Sequence, residues 1–284
     1  MNIKNTCQSL RPFRDSPVQI FVGGRRSGDW RIYNHAEDSN PLMKLAALAA
    51  SCDSTELLLP DVRPSNGLVV DADGLSELMP RISDLVSVRT GREADGVIVE
   101  EGASAALATG DCPTVVMWAE GQGFAVVAHA GRQSLIGSFS DMPGVGLMTG
   151  KRLDQSVIAR MVACFIRRKC ALASVHAFIT LGIGGPSFSH SMSHPDFRGA
   201  NGRMIGFVRT HYGKSCILDT REGTLSLHRV IKAQCALLGI PRKNVVSDGF
   251  DTATDREADD SFRWWSNRRG EKGRNLVFVS VMPS

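Results

Sequence analysis

The chain has 284 residues, 43% hydrophobic and 22% charged, with a formal net charge of +4. That composition is ordinary for a soluble globular protein with a large buried core, and no apolar run reaches the roughly 18 residues needed to span a bilayer. The mild positive charge does not call for nucleic acid or a membrane surface, but it suits a small anionic ligand.

The first residues, "MNIKNTCQSLRPFRDSP", have neither a long apolar core nor a small-residue cleavage site, so no signal peptide is read. Residues 1–17 are expected to be a poorly ordered N-terminal extension, and residues 18–284 a single domain. "VQIFV" (18–22) reads as a strand, followed by the basic loop "GGRRSGD". "NPLMKLAALAASC" reads as a helix with Asn40 as N-cap and Pro41 in the first turn. "ELLL", "GLVVDA" and "ADGVIVEE" are strand candidates. The segment 153–170 is an amphipathic helix. Its apolar stripe is Val157, Ile158, Met161, Val162, Phe165 and Ile166, and cations fall in its last turn. "HAFITLGIGGP" (176–186) is a strand running into a glycine turn. Residues 224–239 form a second strong helix that Gly239 caps and Pro241 stops. "NLVFVSVM" (275–282) closes the chain as a strand. Strands and helices mix without a clean βαβ rhythm, which predicts an α/β or α+β fold with more than one sheet.

Seven scattered cysteines, odd in number and without a CxxC pair, argue against a disulfide framework. Together with the missing leader they make a cytoplasmic location the expectation. Two polar residues punctuate the most apolar part of the chain. Cys112 stands just before "PTVVMW" and His129 ends "FAVVAHA", with "AEGQG" between. If the two runs pair as an antiparallel hairpin turning between Glu120 and Gly121, Cys112 lies directly opposite His129 on the same face. Their Cβ atoms would then be about 5 Å apart. That is a distance for a thiol–imidazole dyad or for two ligands of one metal.

The stretch "TGDCPTVVM…GFAVVAHAG" resembles the paired motifs of the YfiH-like family, also called the laccase-domain or polyphenol oxidase family. "ADGVIVEEGASAAL", "LGIGGPSF", "HRVIKAQCALLGIPRKNVV" and "FRWWSNRRGEKGRNLVFVSV" resemble further family segments in the same order. "FVGGRRSGD" is similar to the family's early Gly-rich loop. The likeness spans most of residues 18–282. It implies a layered sandwich of two β-sheets flanked by helices. It also implies a zinc ion on Cys112, His129 and an upstream histidine, and phosphorolysis of purine nucleosides such as adenosine and inosine, with adenosine deamination as a side activity. A small-molecule nucleoside and phosphate would then be the partners. Arg25, Arg268 and Arg269 are the candidate phosphate-binding residues.

The departures fall on the site motifs. The usual third zinc ligand is replaced by Arg63, which is permanently charged and donates only. The family's H-A-G-W-R-G run is here His129-Ala130-Gly131-Arg132-Gln133-Ser134, and a late C-T pair is Asp251-Thr252. A substitute ligand could come from His35, Asp61, His190 or His194. Arg63 in a vacated ligand position would instead hold an anion bidentately or favour the Cys112 thiolate. Asp111 should point to the opposite strand face from Cys112, away from His129. Besides phosphorolysis, two readings stay open: a catalytically silent ligand-binding paralogue, and a metal-free hydrolase with Cys112 as nucleophile and His129 as base. Multicopper oxidation is rejected, because seven histidines without one HxH pair cannot supply its ligand clusters.

Overall fold

The computed structural model describes residues 6–32, 39–62, 66–83, 86–139, 150–194 and 196–283. In chain order the elements are β1 (Gln8–Leu10), β2 (Val18–Gly23), α1 (Ser39–Ala50), β3 (Glu56–Asp61), β4 (Val69–Val70), β5 (Ser76–Ser83), β6 (Val86–Glu93), β7 (Gly96–Glu100), β8 (Ala103–Thr109), β9 (Thr114–Ala119) and β10 (Phe124–His129). There follow α2 (Arg132–Ile136), α3 (Val157–Arg167), β11 (Val175–Thr180), α4 (Arg198–Tyr212), β12 (Ile217–Asp219), β13 (Thr224–Leu225), α5 (Leu227–Leu237), β14 (Val245–Ser247) and β15 (Asn275–Val281). One sheet runs β1-β2-β15-β8-β3-β6-β5 and the other β14-β11-β9-β10-β7-β4, with β12 and β13 as a small ribbon.

The layers follow from alternation along the strands. In β9, Val115 and Met117 face α3 and α5, while Val116 and Trp118 face the other sheet. Both faces of the strand are covered, so it reads as continuous apolar sequence rather than as alternation. The inter-sheet core includes Ile20, Leu58, Leu107, Val277, Val127 and Phe178. On the far side of the seven-stranded sheet, α1 packs Leu45, Leu48 and Ala49 against Leu57, Val88 and Phe278. The order is therefore helix, sheet, sheet, helices: the layered sandwich implied by the resemblance.

Local signals place α3 well. Ser156 caps it, accepting a bond from Ala159 N at 3.2 Å. Val157, Ile158, Met161, Val162 and Phe165 are buried, and Phe165 stacks on Phe124 with centroids 5.1 Å apart. Burying each large side chain contributes roughly 1.5–3 kcal/mol. Ile166, expected in the stripe, is 57% exposed. Helix α1 begins at Ser39, so Asn40 lies inside it rather than capping it.

Two expectations change. The N-terminal segment is not a loose extension over residues 6–17: β1 pairs antiparallel with β2, and Phe13 is 6% exposed, packed near Trp118 and Phe178. Residues 1–5 lie outside the described residues. The hairpin register is also shifted. His129 pairs with Thr114 and Ala125 with Trp118. The turn is centred one residue later than expected, because Gly121 takes φ +74° and Trp118 Nε1 captures the Gln122 carbonyl at 2.8 Å. Cys112 is thus not directly opposite His129. It lies two residues beyond that pair, and since side chains alternate with period two, the shift leaves it on the same face.

Candidate active site

His129 ends β10 on the face that looks toward the inter-sheet core. On one side it meets Asp95, the residue before β7. His129 N donates to the Asp95 carbonyl at 2.7 Å, and Nδ1 lies 3.0 Å from Asp95 Oδ1. Asp95 is fully buried, and its other oxygen accepts from Gly67 N at 2.5 Å. A carboxylate partner fixes the proton on Nδ1 and leaves Nε2 for the next contact. That contact is Cys112, hydrogen-bonded to the imidazole. Gly131 shows how tight the pair is: a Cβ built there would stand 3.2 Å from Cys112 Sγ, 3.4 Å from His129 Nε2 and 2.8 Å from Cε1. Burial would depress the His129 pKa. The Cys112 charge, then the hydrogen bonds to Asp95 and Cys112, outweigh it and raise it to about 10. The result is a protonated imidazole in hydrogen-bond contact with the Cys112 sulfur, with the buried Asp95 side chain behind.

The loop carrying Cys112 is held from several sides. Thr109 Oγ1 donates to the Cys112 carbonyl at 2.7 Å, and Ala130 N donates to the Pro113 carbonyl at 2.7 Å. Asp111 points away from His129, as expected: its oxygens accept from Thr252 Oγ1 at 2.8 Å and Arg268 N at 2.7 Å. Thr252 is fully buried, so the Asp251-Thr252 pair works as an anchor for this loop. Beside the pair, Arg132 is half-buried, and its pKa is lowered by burial against the pull of the Cys112 charge. Its guanidinium makes no hydrogen bond or ion pair among the described residues. His190 Nδ1 sits 3.1 Å from the Gly223 carbonyl and must donate to it. Burial, then the nearby charges of Arg132 and Arg268, lower its pKa to about 4 despite that bond.

The other arginines singled out from sequence are differently employed. Arg25 pairs with Glu271 at 2.6 Å and lies 4.5 Å over the Trp265 ring. Arg269 spends its guanidinium on the carbonyls of Thr252 and Ala253, at 2.7 and 2.6 Å, on the Trp264 carbonyl, and on Glu271 at 2.9 Å. Arg269 is consumed by these contacts, and Arg25 is tied to Glu271. Arg268 reaches the site with its backbone N and donates Nη2 to the Ser189 carbonyl at 2.9 Å. Arg63 and His35 lie outside the described residues.

Sequence reasoning missed Asp95 and Arg132. The signals were present: an acid directly before an apolar strand that pairs with β10, and an arginine in the Trp position of the HAGWRG-like run. The zinc donor set is incomplete among the described residues. Cys112 and His129 supply two donors, Asp95 is committed to Nδ1 of His129, and no group of three or more His, Cys, Asp or Glu side chains converges. His194 is exposed near Asp196, 3.9 Å away. A catalytic zinc site takes three protein ligands, which these residues do not provide.

Residues 68–282 match the family model described as multi-copper polyphenol oxidoreductase laccase. The chain belongs to this laccase family. No curated protein matches it. Among solved structures of similar shape are the hypothetical protein YfiH of Bacillus licheniformis, at 17% identity and TM-score 0.61 over 96% of this chain and 100% of that one. YlmD of Geobacillus stearothermophilus follows at 16% identity and TM-score 0.65, covering 96% and 94%. Protein NMB0706 of Neisseria meningitidis stands at 13% and 0.66, covering 98% and 99%. The match is one of fold: two large sheets with helices outside, as in YfiH.

Proposed function

We propose that the protein is a purine nucleoside phosphorylase-like enzyme that works from the hydrogen-bonded Cys112–His129 pair. The observation that carries this reading is Arg132, a half-buried cation without a described protein partner, next to Cys112 and His129. Phosphorolysis needs an anion site, a proton for the departing base and a negative group beside the cationic sugar. Arg132 would hold the phosphate. A phosphate oxygen would bond to the anomeric carbon while the bond to the base breaks, its electron pair leaving with the purine. His129 would give that leaving nitrogen the Nε2 proton, and the polarisable Cys112 sulfur would face the developing positive charge. Asp95 keeps the histidine ring in register throughout. None of these steps is routed through a metal. Copper oxidation is not proposed for this member of the family, because its histidines are dispersed.

Incubation with inosine or adenosine tests the reading. Free base and sugar 1-phosphate should appear only with inorganic phosphate. Cys112→Ala should abolish turnover, and Arg132→Gln should raise the KM for phosphate at least tenfold. Base release independent of phosphate, or none with either nucleoside, would overturn it.

A second reading is favoured by the Asp95 contact. Cys112, His129 and Asp95 stand in the order of nucleophile, base and orienting acid. A thiol hydrolase would attack an acyl or amide carbon with Cys112 and return the proton to the leaving group from His129. Phosphate-independent turnover with a trapped acyl adduct on Cys112 would identify it.

A further inference from the structure

The geometry points to a second, separate anion site on the helical side of the molecule, built to take a phosphorylated small molecule. A cavity of about 310 Å³ lies between the outer face of α5 and the turn leading into β14. That volume reaches the lower end of the range for small-molecule sites. Its rim carries Arg229, Lys232 and Arg242, and Ala233, Ala236 and Val245 contribute apolar wall. Positions 229, 232, 233 and 236 share one side of α5 by helical spacing, so the two cations and the two alanines face the cavity together.

Three features set this cluster apart from ordinary solvated cations. The residues that line the cavity include no Asp or Glu. None of the three cations that converge on the cavity has a carboxylate partner among the described residues. Arg229 is also tethered: its Nη1 donates to the Ser215 carbonyl at 2.7 Å, which holds the guanidinium at the rim. Arg229 and Lys232, like charges one turn apart, repel each other on the helix. A dianion would relieve that repulsion while a short apolar portion rests on the two alanines. The ligand class that follows is a phosphate ester or diphosphate.

This site is distinct from the Cys112 pair. Val245 pairs with Ala177 and joins the core on the α3–α5 face of the sheet, whereas His129 points to the inter-sheet face at the Thr114 end of β10. Its occupancy does not depend on the phosphorolysis reading.

The test is calorimetric titration with inorganic pyrophosphate in an Arg132→Gln background, so that binding beside Cys112 does not contribute. The Arg132→Gln protein should bind pyrophosphate, and adding Arg229→Gln with Arg242→Gln should weaken binding at least tenfold. Arg229 and Arg242 are exposed, so adding their substitutions should leave thermal unfolding without ligand where it is in the Arg132→Gln background. Adding Arg209→Gln with Arg221→Gln, exposed cations that do not line the cavity, should leave the affinity as it was. Absence of binding, an affinity indifferent to Arg229 and Arg242, or an equal loss in the Arg209/Arg221 control would each overturn the assignment.

Discussion

Asp95→Asn tests the electrostatics on which the site rests. The substitution keeps the shape of the side chain, and its remaining carbonyl oxygen can still accept from Gly67 N. What it removes is the negative charge 3.0 Å from His129 Nδ1. A hydrogen bond to a charged group is worth about 1.5–3 kcal/mol net, which corresponds to about 1–2 pKa units. The His129 pKa, raised to about 10 in the parent, should therefore fall to about 8–9. Cys112→Ala removes the largest of the raising influences and should lower it further. The assay is an NMR titration of the imidazole nitrogens of His129, joined to the rate of Cys112 alkylation at pH 7, which should slow in Asp95→Asn. The sign for stability follows. A histidine with a raised folded-state pKa stabilises the fold fully below its unfolded value of about 6.5, and that contribution is lost as pH rises through about 10. Asp95→Asn should make the loss begin at lower pH. An unchanged His129 midpoint in Asp95→Asn would refute the account of the pair.

Gly131→Ala should disable the site. The backbone there has an ordinary φ of −69°, but the added methyl would press on Cys112 Sγ and on a His129 ring that Asp95 holds from the other side; Cys112 alkylation and turnover should fall together, and the melting temperature should drop as the ring is displaced. His190 should make the protein acid-sensitive. With its folded pKa lowered to about 4, stability is full above about 6.5 and declines as pH falls toward 4, by up to about 3 kcal/mol. Urea unfolding across that window should show the slope, and His190→Asn should flatten it. Thr114→Val replaces a fully buried hydroxyl that has no hydrogen-bond partner among the described residues with a group of the same shape. Stability should stay level or rise by about 1 kcal/mol, measured by chemical denaturation. Phe165→Ala should cost about 3–5 kcal/mol, because its stack on Phe124 ties α3 to the sheet.

Much of the fold could be read from local chemistry. The stripe and Ser156 cap of α3, the Gly239 stop after α5 and the apolar runs of β9, β10 and β15 are short-range signals that the surrounding structure reinforces. Where local signals were weak, elements were missed. Helix α4 carries Gly199, Gly202 and Gly206, each costing up to about 1 kcal/mol relative to alanine, and it forms because Met204, Ile205 and Val208 are buried against the core. The strands β5 and β6 carry Pro80 and several charged residues, which hide their pattern.

That Cys112 and His129 share a face could be read from the alternation of β9 and β10, since alternation survives a two-residue error in register. Only the tertiary structure decided what stands around them. Asp95 reaches His129 through pairing of β7 with β10, and Arg132 has no ion pair among the described residues while Arg269 is consumed by carbonyls and Glu271. Which charges are answered and which are left for a ligand depends on chain segments far apart in sequence. No local pattern encodes that, because the partners meet only when the sheets stack.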